Sequence, residues 1–176
     1  MTAEFGDAAV VSWIRESTPP GLTIGSAVPP GFARYATIVI PDDETRPAHD
    51  RALVERCREH APSSSRWWLG YLETGGTPIP FPDAPRVTLY SGWQYVLVHA
   101  RPEEALTLRE DYWDRTLPEV FFPDDRSWLV STLWDDDWRC VGGPASLIDS
   151  LRATAALETR VVDLTEDATP PGHTAF

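Results

Sequence analysis

Residues 118–158 read PEVFFPDDRSWLVSTLWDDDWRCVGGPASLIDSLRATAALE. Ser127–Leu133 is expected as a strand, Asp135–Asp137 as a turn and Arg139–Val141 as the return strand of a β-hairpin. Alternation puts Trp128, Val130, Thr132 and Trp134 on one face and Ser127, Leu129, Ser131 and Leu133 on the other. Both faces are at least half apolar, which suits a strand inside a sheet. The aspartates favour the turn because a short carboxylate bonds nearby backbone and tolerates left-handed conformations. In this register Val141 lies opposite Ser131, and Trp134 and Trp138 flank the turn as a cross-strand aromatic pair. Gly142–Gly143 before Pro144 predicts a helix to about Arg152, with Leu147, Ile148 and Leu151 as its buried stripe. Its N-terminus would fall beside Asp124 and Asp125, whose charges suit a helix dipole. Asp124–Arg126 therefore has two readings, a helix-terminus device or a site.

Upstream, Asp7 caps a predicted helix over 7–16 with Val10, Trp13 and Ile14 on one side. Residues 17–31 form a loop with Pro-Pro-Gly at both ends. Arg34–Ile40 alternates as a strand, and Thr45 opens a helix over 46–61 that buries Ala52, Leu53 and Cys57. Arg66–Glu73 is a strand in which Gly70, between bulky neighbours, marks a close backbone approach. Thr74–Pro85 is rich in Gly and Pro and has the length of a binding loop. Arg86–Tyr90 and Gln94–Ala100 read as strands, Pro102–Arg109 as a short helix and Glu158–Asp163 as a last strand. Residues 110–119 carry no assignable pattern. This order predicts one α+β domain over 1–164: a mixed, largely antiparallel sheet of five to six strands, with three to four helices mainly on one face. Residues 165–176, polar and Pro-rich, are expected to form a flexible tail.

At 176 residues and 42% hydrophobic, the chain is long enough to bury one substantial core. No apolar run is long enough to span a membrane, and the first residues lack the basic start of a secretory signal, so the expected location is cytoplasmic. There is no lysine, which removes a Walker-type phosphate lysine, a Schiff base and a Ser–Lys dyad. There is no asparagine, hence no N-glycosylation site. Cys57 and Cys140 make no disulfide framework and read as buried thiols. The net charge is −12, and residues 103–137 alone hold 11 acids against 3 arginines. Such a balance excludes a nucleic-acid footprint and an anionic membrane surface, and complements a basic protein.

Three stretches occur in order: Val28–Pro29–Pro30–Gly31–Phe32 with Tyr35, Pro123–Asp124–Asp125–Arg126–Ser127–Trp128, and Trp138–Arg139–Cys140–Val141–Gly142–Gly143. Here, over about a third of its length, the chain resembles an uncharacterised family of small acidic proteins from high-GC actinobacterial genomes. The resemblance implies one fold and cytoplasmic residence, and it brings no established activity. The Asp135–Asp137 triplet is not part of what it implies.

Chemistry-bearing motifs are sparse. His49, His60, His99 and His173 show no metal-site spacing, and the carboxylates of Asp135–Asp137 read as a solvated turn, so no metal and no cofactor are expected. No Gly-x-Ser-x-Gly is present, and no residue is assigned a catalytic role. The leading expectation is a non-enzymatic binding protein, immunity-like or regulatory. It would offer Trp134, Asp135, Asp136, Asp137 and Trp138, within the acidic, Trp-rich 103–138 surface, to a basic protein partner. The alternative is a small-molecule-binding protein or small enzyme. Its aromatic pocket would lie under the 74–85 loop, with Arg126 and His99 as polar anchors.

Overall fold

The computed structural model describes residues 3–74, 77–109, 117–133 and 136–175. Among them lie nine strands: β1 (Glu4–Phe5), β2 (Arg34–Val39), β3 (Trp67–Leu72), β4 (Val87–Thr88), β5 (Gln94–Ala100), β6 (Val120–Pro123), β7 (Leu129–Ser131), β8 (Trp138–Gly143) and β9 (Thr159–Val162). The α-helices among the described residues are α1 (Ala8–Arg15), α2 (Ile24–Ala27), α3 (Arg46–Glu59) and α4 (Ala145–Ala153). The strands form one open sheet in the order β1-β5-β3-β6-β7-β8-β2-β9, with β4 also on β5, and each pairing is antiparallel. The fold is thus α+β, but its nine-stranded sheet is wider than the five to six strands expected. Two of the additions, β1 and β6, are too short to show an alternation in sequence.

Helices cover both faces, not mainly one. Leu53, Val54 and Cys57 of α3 and Leu147, Ile148 and Leu151 of α4 pack with Trp67, Leu69, Tyr71, Phe121, Trp128 and Val130. On the other face, Val11 and Ile14 of α1 and Ile24 and Ala27 of α2 pack with Tyr95, Leu97, Phe122, Leu129, Trp138 and Cys140. The physical reason is in the strands. The middle ones, such as WWLGYL in β3 and WRCVGG in β8, are apolar on both sides, and each side has to be taken out of water. Trp67 and Trp128 anchor the first core, edge to face with centroids 4.8 Å apart and no exposed surface.

The 118–158 hairpin forms, one residue out of the expected register. Cys140, not Val141, lies opposite Ser131, and Val141 opposes Val130. The observed pairing puts Val130 and Val141 together in the α3–α4 core and keeps Cys140 with Leu129 in the other. A slip by one would send an apolar set to the wrong face. The ladder stops at Ser131, so the connection is longer than a three-residue loop, and the Asp136 N–H donates to the Leu133 carbonyl at 3.1 Å within it. Beyond the hairpin, α4 carries the chain over to β9, and β2 is inserted between β8 and β9, antiparallel to both. The short helix expected over Pro102–Arg109 is a 3-10 helix over Pro102–Leu106.

Residues 164–175, expected to fray, lie against the α2 side of the domain. Ile24 and Gly25 donate backbone N–H groups to the Glu166 and Leu164 carbonyls at 3.0 and 2.9 Å, and Ala168 donates to Leu22 at 2.8 Å.

Candidate functional site

Antiparallel neighbours turn at alternate ends, so the β2–α3 and β7–β8 connections emerge at the same end of the sheet. There the Ile40 N–H donates to the Asp137 carbonyl at 2.7 Å. That bond sets exposed Asp42, the first of the acids Asp42–Asp43–Glu44, beside Asp136, half-buried, and Asp137, exposed. A small polar cleft of about 160 Å³ lies between the two segments, lined by Asp42, Arg46, Glu119, Asp136, Asp137 and Arg139 together with Thr132 and Ile40.

Behind the cleft is an ionic network. Arg139, on the face of β8 that meets α3, is buried, and one of its terminal nitrogens donates to the Thr132 hydroxyl at 2.8 Å. The other lies 3.8 Å from Oδ1 of Asp50 in the first turns of α3. Asp50, 1% exposed, also meets His49 Nδ1 at 3.0 Å and Arg46 Nε at 3.8 Å. Burial alone would raise the Asp50 carboxyl. The His49 hydrogen bond and the charges of Arg139 and Arg46 outweigh it and hold the group below the ordinary carboxylate value. Next to this, Arg109 grips both oxygens of Glu119 at 2.8 and 2.9 Å, and Glu119 accepts the Leu72 N–H at 2.9 Å. The network pairs both signs and ties α3, Arg109 and Glu119 to the sheet behind the rim aspartates.

On the opposite face, at the same end, is a larger apolar cavity of about 360 Å³. Its walls are the loop before α2 (Thr18–Thr23), Tyr90 and Trp93 of the β4–β5 turn, Leu133, Asp136 and Trp138 of the hairpin, and Ala168, Thr169 and Ala175 of the C-terminal segment. Tyr90 is fixed by donating its hydroxyl to the Ala27 carbonyl at 2.7 Å, and burial pushes that phenol up, so it stays neutral.

Of the residues singled out in sequence, Trp134 and Asp135 lie outside the described residues. Asp136 and Asp137 stand at the acidic end, and Asp137 accepts from His173 Nδ1 at 2.9 Å. Trp138, only 2% exposed, and Trp128 are core side chains, so they offer no surface to a partner. The acidic stretch is therefore not a Trp-rich surface at these two positions: strand alternation turns both rings inward. Arg126 and His99 lie at the other end of the sheet, near the β6–β7 turn, and line neither cavity. His99 is held by Glu4 and Asp124, each at 2.8 Å, with its ring stacked 4.4 Å from Trp68. Arg126, with φ of 56°, lies over the Trp13 ring at 5.4 Å. Asp125 accepts the Ser127 N–H at 3.0 Å, so Asp124–Arg126 is engaged with β5 and with its own turn and not with the start of α4. The described residues of the 74–85 loop give none of their side chains to the aromatic cavity.

Sequence reading missed Asp42, Arg46 and Arg139. Arg139 left a signal: one charge between Trp138 and Cys140 in a strand buried on both sides demands a buried partner. Asp42 left none, because its role depends on a neighbour far away in the chain. Among the described residues no cluster of three or more His, Cys, Asp or Glu is arranged to hold a metal ion. Among them, too, no helix is long and apolar enough to cross a membrane. Comparison of the chain with family models, with curated proteins and with solved structures found no match in any of the three.

Proposed function

We propose that this is a non-enzymatic binding protein that meets a basic protein partner with its acidic end, as an inhibitor or immunity protein meets a cationic toxin. The observation that carries this reading is the meeting of Asp42 with Asp136 and Asp137 around one cleft, from two acidic segments far apart in sequence and joined by the Ile40–Asp137 bond. Carboxylates so grouped raise the rate of encounter with a cation-rich surface and disfavour acidic competitors. The ionic network behind them fixes the backbone that presents them, so little order has to be gained on binding.

The test is capture from native lysate with the wild type and with Asp42→Ser/Asp136→Ser/Asp137→Ser. A basic protein held by the wild type at low salt, released as salt rises and captured at least tenfold less by the variant supports the reading. Equal capture by the variant places the interface elsewhere and refutes it.

A further inference from the structure

We propose that the cavity between α2, the β4–β5 turn, the hairpin end and the C-terminal segment is a binding site for a small neutral molecule of one or two rings bearing a hydroxyl or carbonyl. This goes beyond the acidic-end reading and rests on a different cavity, which shares Asp136 with the acidic cleft.

Size comes first. Cavities of about 150 Å³ lined by aliphatic and aromatic groups admit benzene. The cavity here is about 360 Å³, which gives room for two fused rings and stands at the lower end of small-molecule sites. The walls set the chemistry. Half-buried Trp93 is the more open aromatic wall, largely buried Tyr90 and Trp138 close the cavity behind it, and Leu22, Leu133, Pro19 and Pro20 supply aliphatic surface. Leu22 is 63% exposed, an unusual position for a large aliphatic side chain beside an apolar hollow, and an occupant would cover it.

The polar lining is almost all hydroxyl. Thr18 has its proton committed to the Ile14 carbonyl at 2.8 Å. Thr23 and Ser26 meet at 3.3 Å, and a hydroxyl pair sharing one proton keeps a donor and acceptor sites to spare. Such groups orient a neutral hydroxyl or carbonyl. Among the described lining residues the charged one is Asp136, and no arginine is present. An anionic ligand would be placed near the Asp136 carboxylate, while the described lining residues bring it no arginine, and an anion without a countercharge in an apolar site is costly. Nucleotides, phosphosugars and carboxylates are therefore disfavoured.

The test uses the purified full-length protein and two probes of one shape, 2-naphthol and 2-naphthoate, followed by titration calorimetry. The expected result is saturable one-to-one binding of 2-naphthol, with 2-naphthoate at least tenfold weaker. Trp93→Ala should weaken 2-naphthol about tenfold. Leu22→Ser, at a position too exposed to disturb folding, should weaken it severalfold. Asp42→Ser, at a residue that lines the acidic cleft and not this cavity, should bind 2-naphthol as the wild type does, so failure of the acidic-end reading and failure of this one are separable. Absence of saturable 2-naphthol binding, equal affinity for the two probes, or full affinity in both Trp93→Ala and Leu22→Ser would each overturn the proposal.

Discussion

Gly70 sits mid-strand in β3 with Val120 on one side and Leu97 on the other. A Cβ there would run into the Val120 side chain and come within 3.1 Å of Leu97 Cδ2. Neither neighbour has room to withdraw, since both are buried to within 1% of their surface. Gly70→Ala is expected to lower stability by about 1–3 kcal/mol, the usual cost of forcing an extra carbon into a packed core. Urea unfolding monitored by tryptophan fluorescence measures it, and an unchanged midpoint would mean that the strands can spread. Asp50 makes a prediction in pH. Its folded carboxyl is held below its unfolded value, so it contributes stability that is complete above the ordinary aspartate range of about 3.9 and lost as pH falls through the folded value. Asp50→Asn should be less stable than the wild type at neutral pH, because buried Arg139 loses its countercharge, and should show a shallower fall in melting temperature between about pH 5 and about pH 2. Parallel slopes in the two proteins would assign acid sensitivity to other carboxylates. Both residues illustrate what single positions disclose in sequence. Gly70 was legible because a glycine between Leu69 and Tyr71 in a strand needs a reason. Asp50 was not, because its partners come from β8 and from its own helix, and the pattern of α3 alone shows a polar helix with an unremarked acid.

Elements were legible where they are long. The α1, α3 and α4 helices and the β2, β3, β5 and β8 strands carry enough residues for their periodicity to appear in the sequence. β1 and α2 do not, and both are held by pairing with distant segments. The hairpin register was missed by one for the same reason: turn propensity located the reversal, but the packing of two cores set which residues face each other. The C-terminal segment is the clearest case. Its polar, Pro-rich composition carries no local signal, while Glu166 accepts the Ile24 N–H and Ala168 donates to the Leu22 carbonyl. Truncation after Leu164 removes both bonds and uncovers the α2 side of the core, at an expected cost of about 1–3 kcal/mol. Scanning calorimetry should show a melting temperature lower by roughly 2–4 °C for each kcal/mol lost. A truncated protein that melts with the full chain would show that the segment rests on the domain without supporting it.

At the scale of the whole molecule, net charge was legible and its placement was not. Composition gave −12, and the run of acids at 103–137 drew attention to one stretch. The fold divides the described residues of that stretch between the core, the far end of the sheet and the acidic end, and adds Asp42 from the first third of the chain. The partner proposal is a statement at this scale, because an assembly of exposed charges acts through solvent. The screening length falls from about 30 Å at 0.01 M salt to about 8 Å at 0.15 M, so association with a basic partner should slow across that range. Stopped-flow association rates would record the change, and a rate insensitive to salt would point to an interface of another kind.

The insertion of β2 between β8 and β9 has a consequence in time. Tyr35–Val39 leave the ribosome about a hundred residues before the first of the two strands that pair with them. At about 5–20 residues per second, the hundred or so residues in between take roughly 5–20 s to make. Throughout that interval a β-prone segment, RYATIV, has neither of its native neighbours, and the two cores on either side of it are still open. The β8–β2–β9 end of the finished sheet is thus the last part of the nascent chain to be closed, and the period in which the protein is most exposed to wrong pairing is its own synthesis.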